Sequence, residues 1–211
     1  MYKIVARIAW ASLTRRRTRA VLLVLMIAVS LWGLLLLEGV YDGMVEQMIN
    51  NAIRSDSGHI SLFAKGWRRE PDIARLVRQE EEVDLLLRQD RRVRSHVQRL
   101  RQDGLVATAH YSRGATLLGL DPAAEDRHGQ LGAYLHQGRF DFGPRGRRAI
   151  IGYKLAAKLR LRVGGKLIVS AQDSGGEVSS APFRVSGILK TNNLSLDENA
   201  VLLSLPRLRT L

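Results

Sequence analysis

The sequence predicts an α+β protein: one N-terminal transmembrane helix followed by a mixed α/β domain, largely extracytoplasmic, that carries a β-rich part. Three observations predict it. Residues 20 to 37 are uncharged and almost entirely apolar, a cluster of arginines immediately precedes them, and from Leu105 onward short apolar runs alternate with Gly, Asp and Pro. The implied organisation is a basic amphipathic leader over 1–19, a transmembrane helix over 20–40, a stalk over 41–57 and a core domain over 58–211, with the β-rich part at about 105–189.

The apolar stretch from Ala20 to Leu37 sets the first element. At about 1.5 Å per residue, some 20 helical residues reach roughly 30 Å, the thickness of a bilayer's hydrocarbon core. Glu38 is the first acidic residue of the chain, and the sequence after it offers no small-residue cleavage site of the kind that ends a signal peptide. Arg15, Arg16, Arg17 and Arg19 precede the span, and the positive-inside bias keeps such a cluster in the cytoplasm while the rest of the chain crosses. Trp32 joins them as an anchoring residue. Ahead of the cluster, Tyr2, Ile4, Val5, Ile8, Ala9 and Leu13 mix with Lys3 and Arg7 at spacings that suit a short helix in the headgroup layer.

The chain has a formal net charge of +13, and residues 1–19 supply six cations with no acidic residue, so about half of the excess lies in the leader and the remainder is only modestly basic. That distribution points to an anionic membrane surface and away from nucleic acid. The absence of cysteine excludes disulfides, thiolate metal sites and a cysteine nucleophile.

Beyond the span, Met44, Met48, Ile49 and Ile53 recur at helical spacing, which continues the membrane helix outward as the stalk. Gly58 to Phe63 alternates as a half-buried strand should. Pro71 suits the first turn of a helix, and Ile73, Leu76, Val77, Val83, Leu86, Leu87, Val93, Val97 and Leu100 mark one or two amphipathic helices down to Gly104. Asp84 with Arg88, and Asp90 with Arg94, stand at ion-pair spacing on them. Strands are then expected at 105–109, 115–120, 148–151, 166–171, 183–189 and 200–203. A helix is expected over Tyr153 to Leu161 and a hairpin turn at Ser174 to Glu177.

Little in the sequence carries chemistry. Gly164-Gly165-Lys166-Leu167 lacks the upstream spacing and the hydroxyl of a phosphate-binding loop. The histidines at 59, 96, 110, 128 and 136 form no i,i+4 pair and no HExxH. Glu80, Glu81 and Glu82 fan out around a helix and converge on no site, and Asp197-Glu198 reads as a cap or turn. No catalytic, cofactor-binding or metal-ligating residue is assigned, and the chain is expected not to be an enzyme.

The basic leader, the single span and Gly39-Val40-Tyr41-Asp42-Gly43-Met44 resemble the start of ABC-transporter permease subunits of the lipoprotein-releasing and macrolide-export (MacB/FtsX-like) type. Further stretches are similar in order and spacing: Gly58-His59-Ile60-Ser61-Leu62, Gly119-Leu120-Asp121-Pro122, Gly152 with Leu155, Ala156 and Leu159, Val163-Gly164-Gly165, and Phe183 to Ile188 with Gly187. Gly165 stands where the family usually has Asp. The resemblance implies motif residues that hold the fold: Gly43, Gly58, His59, Asp121, Pro122, Gly152, Leu155, Ala156, Leu159, Gly164 and Gly187. It also implies a periplasmic domain with an inserted β-rich part, a bacterial inner-membrane location, a separate cytoplasmic ABC ATPase subunit, a homo- or heterodimer with another permease subunit, and a periplasmic lipoprotein or envelope partner. Family members carry three further spans, which do not occur before Leu211; a truncated permease or a split gene is one expectation, and a single-pass membrane-anchored binding or scaffold module is the alternative.

Overall fold

The computed structural model describes residues 3–5, 7, 15, 17–53, 58–69, 76–77, 79–128, 131–173, 175–191 and 193–211. The chain divides into two compact units, Met1–Asn50 and Asn51–Leu211. Most of the expected headgroup-layer helix lies outside the described residues, as do Arg16, Arg54, Pro71, Ile73 and Ser174.

The first unit is dominated by helix α1 (Arg17–Ala52), 36 residues without a break. Leu, Ala and Met are strong helix formers, no proline interrupts them, and one continuous rod runs from Arg17 through the apolar stretch to Ala52. Ser30 ties its hydroxyl back to the Met26 carbonyl at 2.8 Å, which satisfies it within an apolar helix. No residue of α1 is buried in the protein, as expected of a helix whose apolar surface faces lipid.

In the second unit, the strand expected over 58–63 does not form. Ile60 is 84% exposed and Leu62 61%, and among the described residues no strand pairs with this segment. Alternation prepares a strand, but a neighbour must supply its hydrogen bonds. Instead Phe63 stacks on Trp67 with centroids 4.7 Å apart, and the Arg68 guanidinium lies 5.5 Å from the Phe63 ring centre.

The amphipathic helical stretch is shorter than expected. Helix α2 covers Glu80–Gln89 and ends where Asp90 turns extended, with its carboxylate accepting the Arg92 N–H at 2.9 Å. The Asp84–Arg88 ion pair forms at 2.7 Å, whereas Asp90 pairs with Arg92 rather than Arg94. Beyond it, residues expected to be helical become strand β1 (Arg99–Ala107). β1 pairs over its whole length with β2 (Ser112–Leu120), and that nine-residue register overrides the local helical spacing.

The remaining elements follow as α3 (Pro122–His128), a 3-10 turn (Leu131–Tyr134), β3 (Leu135–Gly138), β4 (Arg148–Gly152), α4 (Tyr153–Lys158), β5 (Lys166–Gln172), β6 (Val178–Leu189), α5 (Leu194–Asn199), β7 (Ala200–Ser204) and α6 (Leu205–Leu208). The sheet order is β3-β6-β4-β7-β2-β1-β5, and β5 also pairs with β6. Six strands therefore close into a circuit, with β3 added beside β6. The β2–β7 and β4–β6 pairs are parallel, and the rest are antiparallel.

Two apolar cores explain why the circuit holds. Every strand of the ring contributes to the first, through residues such as Val106, Leu117, Ile151, Val169, Phe183 and Val201, with Leu155, Ala156 and Leu159 packed among them. The second lies on the opposite faces of β2, β4 and β7, where Leu118, Ile150 and Leu202 pack beneath Leu131, Phe142 and Leu196. β7 is consequently buried on both faces and reads as the unbroken run Ala-Val-Leu-Leu-Ser.

Candidate functional site

Of the residues assigned to the anchor, Arg15, Arg17 and Arg19 are helical and exposed, and Trp32 is an exposed side chain about two thirds of the way along the apolar part of α1. Gly43 lies on the same helix with open space where a Cβ would stand.

The family-motif residues gather only in part. Leu155, Ala156 and Leu159 project from α4 and its end into the first core. Gly152, immediately before α4, lies so close to α5 that a Cβ would sit 2.4 Å from the carbonyl oxygens of both Leu196 and Asp197. Gly187 has the same character, because a Cβ there would approach the Arg139 carbonyl oxygen at 2.8 Å. Gly164 turns with φ +89, the left-handed region, before β5. Asp121 accepts the Ala123 N–H at 3.0 Å and starts α3 with Pro122 as its first residue. Gly58 and His59 lie in the segment before the sheet, where the Gly58 N–H donates to the Ile53 carbonyl at 3.0 Å. These positions build turns and close approaches rather than a reaction centre.

An open cleft of about 320 Å³ is lined by Arg113, Gly114, Leu155, Lys158, Glu198 and Asn199. Glu198 there accepts from Lys154 Nζ at 3.0 Å and from Lys158 Nζ at 3.3 Å. These hydrogen bonds, Lys154's first, hold its carboxyl below the ordinary glutamate value and raise the Lys154 ammonium above the ordinary lysine value. Both groups stay charged at neutral pH, so the pair serves as a clip between α4 and α5 and offers no proton donor poised near neutrality. Asp84, lowered by its hydrogen bond from His96 at 2.7 Å, is likewise a fixed charge. Among the described residues, no three His, Asp or Glu side chains come together as a metal site.

Two polar contacts join partners that the sequence does not bring together. Arg99 Nη2 meets Glu125 Oε1 at 2.9 Å, with the Glu125 side chain only 2% exposed, and so pins α3 to β1. Asp197 accepts both the N–H and the hydroxyl of the buried Thr191, at 2.7 and 2.9 Å. Its capping character was legible; its partner, six residues back, was not.

The charge of the second unit is also less even than the sequence suggested. Residues 139–184 hold ten Lys and Arg against three Asp and Glu. Strand pairing sets Arg148, Arg184 and Lys166 side by side across β4, β6 and β5.

Comparison with known proteins places this architecture. No curated protein matches the sequence. One solved structure that it resembles is the extracellular domain of the noncanonic ABC-type transporter YknZ from Gram-positive bacteria, with 22% identity and a TM-score of 0.45. The match covers 62% of this chain and 64% of that one, so the chain spans less than two thirds of the solved domain. The model of the MacB-like periplasmic core domain matches residues 20–211, which takes in the apolar helix and the whole sheet, and the chain belongs to that family.

Proposed function

We propose that this chain is the permease subunit, or part of the permease subunit, of an ABC transporter in the bacterial inner membrane, with the leader in the cytoplasm and residues beyond α1 in the periplasm. It works with a separate cytoplasmic ATPase and a second permease subunit, and its task is periplasmic work such as lipoprotein release or export. Family membership over residues 20–211 supports this reading. The observation that carries it is the continuity of α1. Its 36 residues make a rod about 54 Å long, well beyond the roughly 30 Å of a bilayer core. A rod that crosses the membrane and continues outward can carry a displacement from one side to the other without substrate passing through it.

The test is purification of the chain from native membranes in mild detergent, followed by identification of copurifying proteins and assay of ATP hydrolysis. The expected result is a stoichiometric partner with a phosphate-binding loop, and hydrolysis that changes when the stalk part of α1 is broken by Met48→Pro. Stoichiometric recovery of the chain with no ATPase in several detergents would favour the anchored binding or scaffold module instead.

A further inference from the structure

We infer that the basic face centred on Arg184 is a docking surface for the anionic phosphate headgroups of a lipid bilayer. Arg148 and Lys166 are its register partners on the two neighbouring strands, so three cations form a row at the strand spacing of about 4.8 Å. Like charges directly opposite on a sheet repel one another. Of the three, Arg148 has a carboxylate partner, Asp141, while Arg184 donates to the Gly164 carbonyl at 3.0 Å.

Two loops that carry the exposed Arg147 and Arg162 are tied to β6 through backbone hydrogen bonds. The Arg147 carbonyl accepts the Arg184 N–H at 3.0 Å, and the turn carrying Arg162 is held to Val185 through Gly165 at 2.9 Å. The nearest acids along β5 and β6, Asp173 and Glu177, sit at the far tip of the hairpin, where the Asp173 carboxylate is occupied by the N–H groups of Gly175 and Glu177.

The shape favours a broad anion over a small one. The cations stand exposed on the sheet and its turn, while the described cleft is lined by other residues. Val163, 43% exposed, lies between Arg162 and Gly164, and Ile168, 49% exposed, stands two residues along β5 from Lys166. Apolar side chains interspersed with cations suit the headgroup layer, where Lys and Arg stems bury while their charged ends remain wet. Because α1 carries a span on the same chain, a bilayer is always available at a tether-limited concentration. The inference thus rests on the anchor reading above.

The test uses the full chain in nanodiscs. The sequence has no cysteine, so Val163→Cys supports a single fluorophore, and Val178→Cys, at the hairpin tip, serves as the control. Lipids spin-labelled at the headgroup report proximity. Expected is several-fold stronger quenching at position 163 in discs of mixed phosphatidylcholine and phosphatidylglycerol than in phosphatidylcholine alone, with no such difference at 178, and reversal in high salt.

The combined Arg147→Glu, Arg162→Glu and Lys166→Glu variant, which breaks no ion pair among the described residues, should abolish that difference while the near-UV circular dichroism stays unchanged. At about fivefold in binding per cation, the loss of three amounts to about a hundredfold. Equal quenching in both lipids, in a chain that resists alkaline extraction from the discs, would overturn the inference and leave the anchor intact. So would a response at position 163 to soluble polyglutamate but not to phosphatidylglycerol, which would mark an acidic protein as the partner. Release of the chain by alkaline extraction would sink the anchor reading and this inference with it.

Discussion

A methyl group on Gly152 has nowhere to go. Its Cβ would stand 2.4 Å from two backbone carbonyl oxygens of α5, and backbone, unlike the end of a long side chain, cannot swing aside. The conformation itself is ordinary, with φ −64 and ψ 144, so the demand for glycine is one of packing and not of handedness. Gly152→Ala should therefore destabilise the domain by about 1–3 kcal/mol, the usual cost of overpacking, measured by urea unfolding of the detergent-solubilised chain. A change below about 0.5 kcal/mol, the range of ordinary surface substitutions, would mean that α5 is not seated as described. Gly164 and Gly165 divide the same lesson between them. The sequence marks both as candidates for positive φ, but only Gly164 adopts it, while a Cβ on Gly165 would meet the Arg162 carbonyl oxygen at 2.9 Å. That a residue must be glycine is legible in a sequence; which of the two reasons applies is decided by a neighbour that the sequence does not name.

The same division holds for elements. Strands with one dominant apolar run, such as β4, β5 and β7, lie within a residue of where the pattern puts them, because burial writes itself directly into composition. β1 was legible only from Leu105 onward: Arg99 to Gly104 carries charge and looks helical until β2 supplies nine paired partners. The basic face was illegible for a related reason, since its cations come from separate stretches that only pairing brings together. Short helices gain their positions from clips, and the one between α4 and α5 is testable by pH. Glu198 has a folded pKa lowered by Lys154 and Lys158, so its contribution to stability is complete above the ordinary glutamate pKa and is lost as pH falls through the lower folded value. Lys154, raised by Glu198, contributes fully below the ordinary lysine pKa and loses its contribution as pH rises through its folded value. Unfolding of Glu198→Gln across pH should show a small deficit against the parent between these limits and convergence with it in acid. Parallel profiles throughout would remove the clip from the account, and its exposure keeps the expected effect modest.

At the scale of the whole molecule, the decisive asymmetry is the charge on either side of the apolar helix. Arg15, Arg16, Arg17 and Arg19 stand immediately before the span, and Glu38, Asp42 and Glu46 follow it within the same helix or its continuation. Lys and Arg in a short flanking segment govern orientation, while acidic residues contribute little, so the four arginines should be sufficient to hold the leader in the cytoplasm. In spheroplasts, an external protease is expected to cut the second unit while a tag at Met1 remains protected. Replacing the four arginines with glutamine removes most of the bias, and a substantial fraction of chains should then be found with the tag exposed and the second unit sheltered. Mixed orientation in the parent chain would count against the proposed topology, and full retention of the parent orientation in the glutamine variant would move its cause from the arginines to the folding of the sheet domain. The two outcomes are separable because the variant alters no residue of that domain.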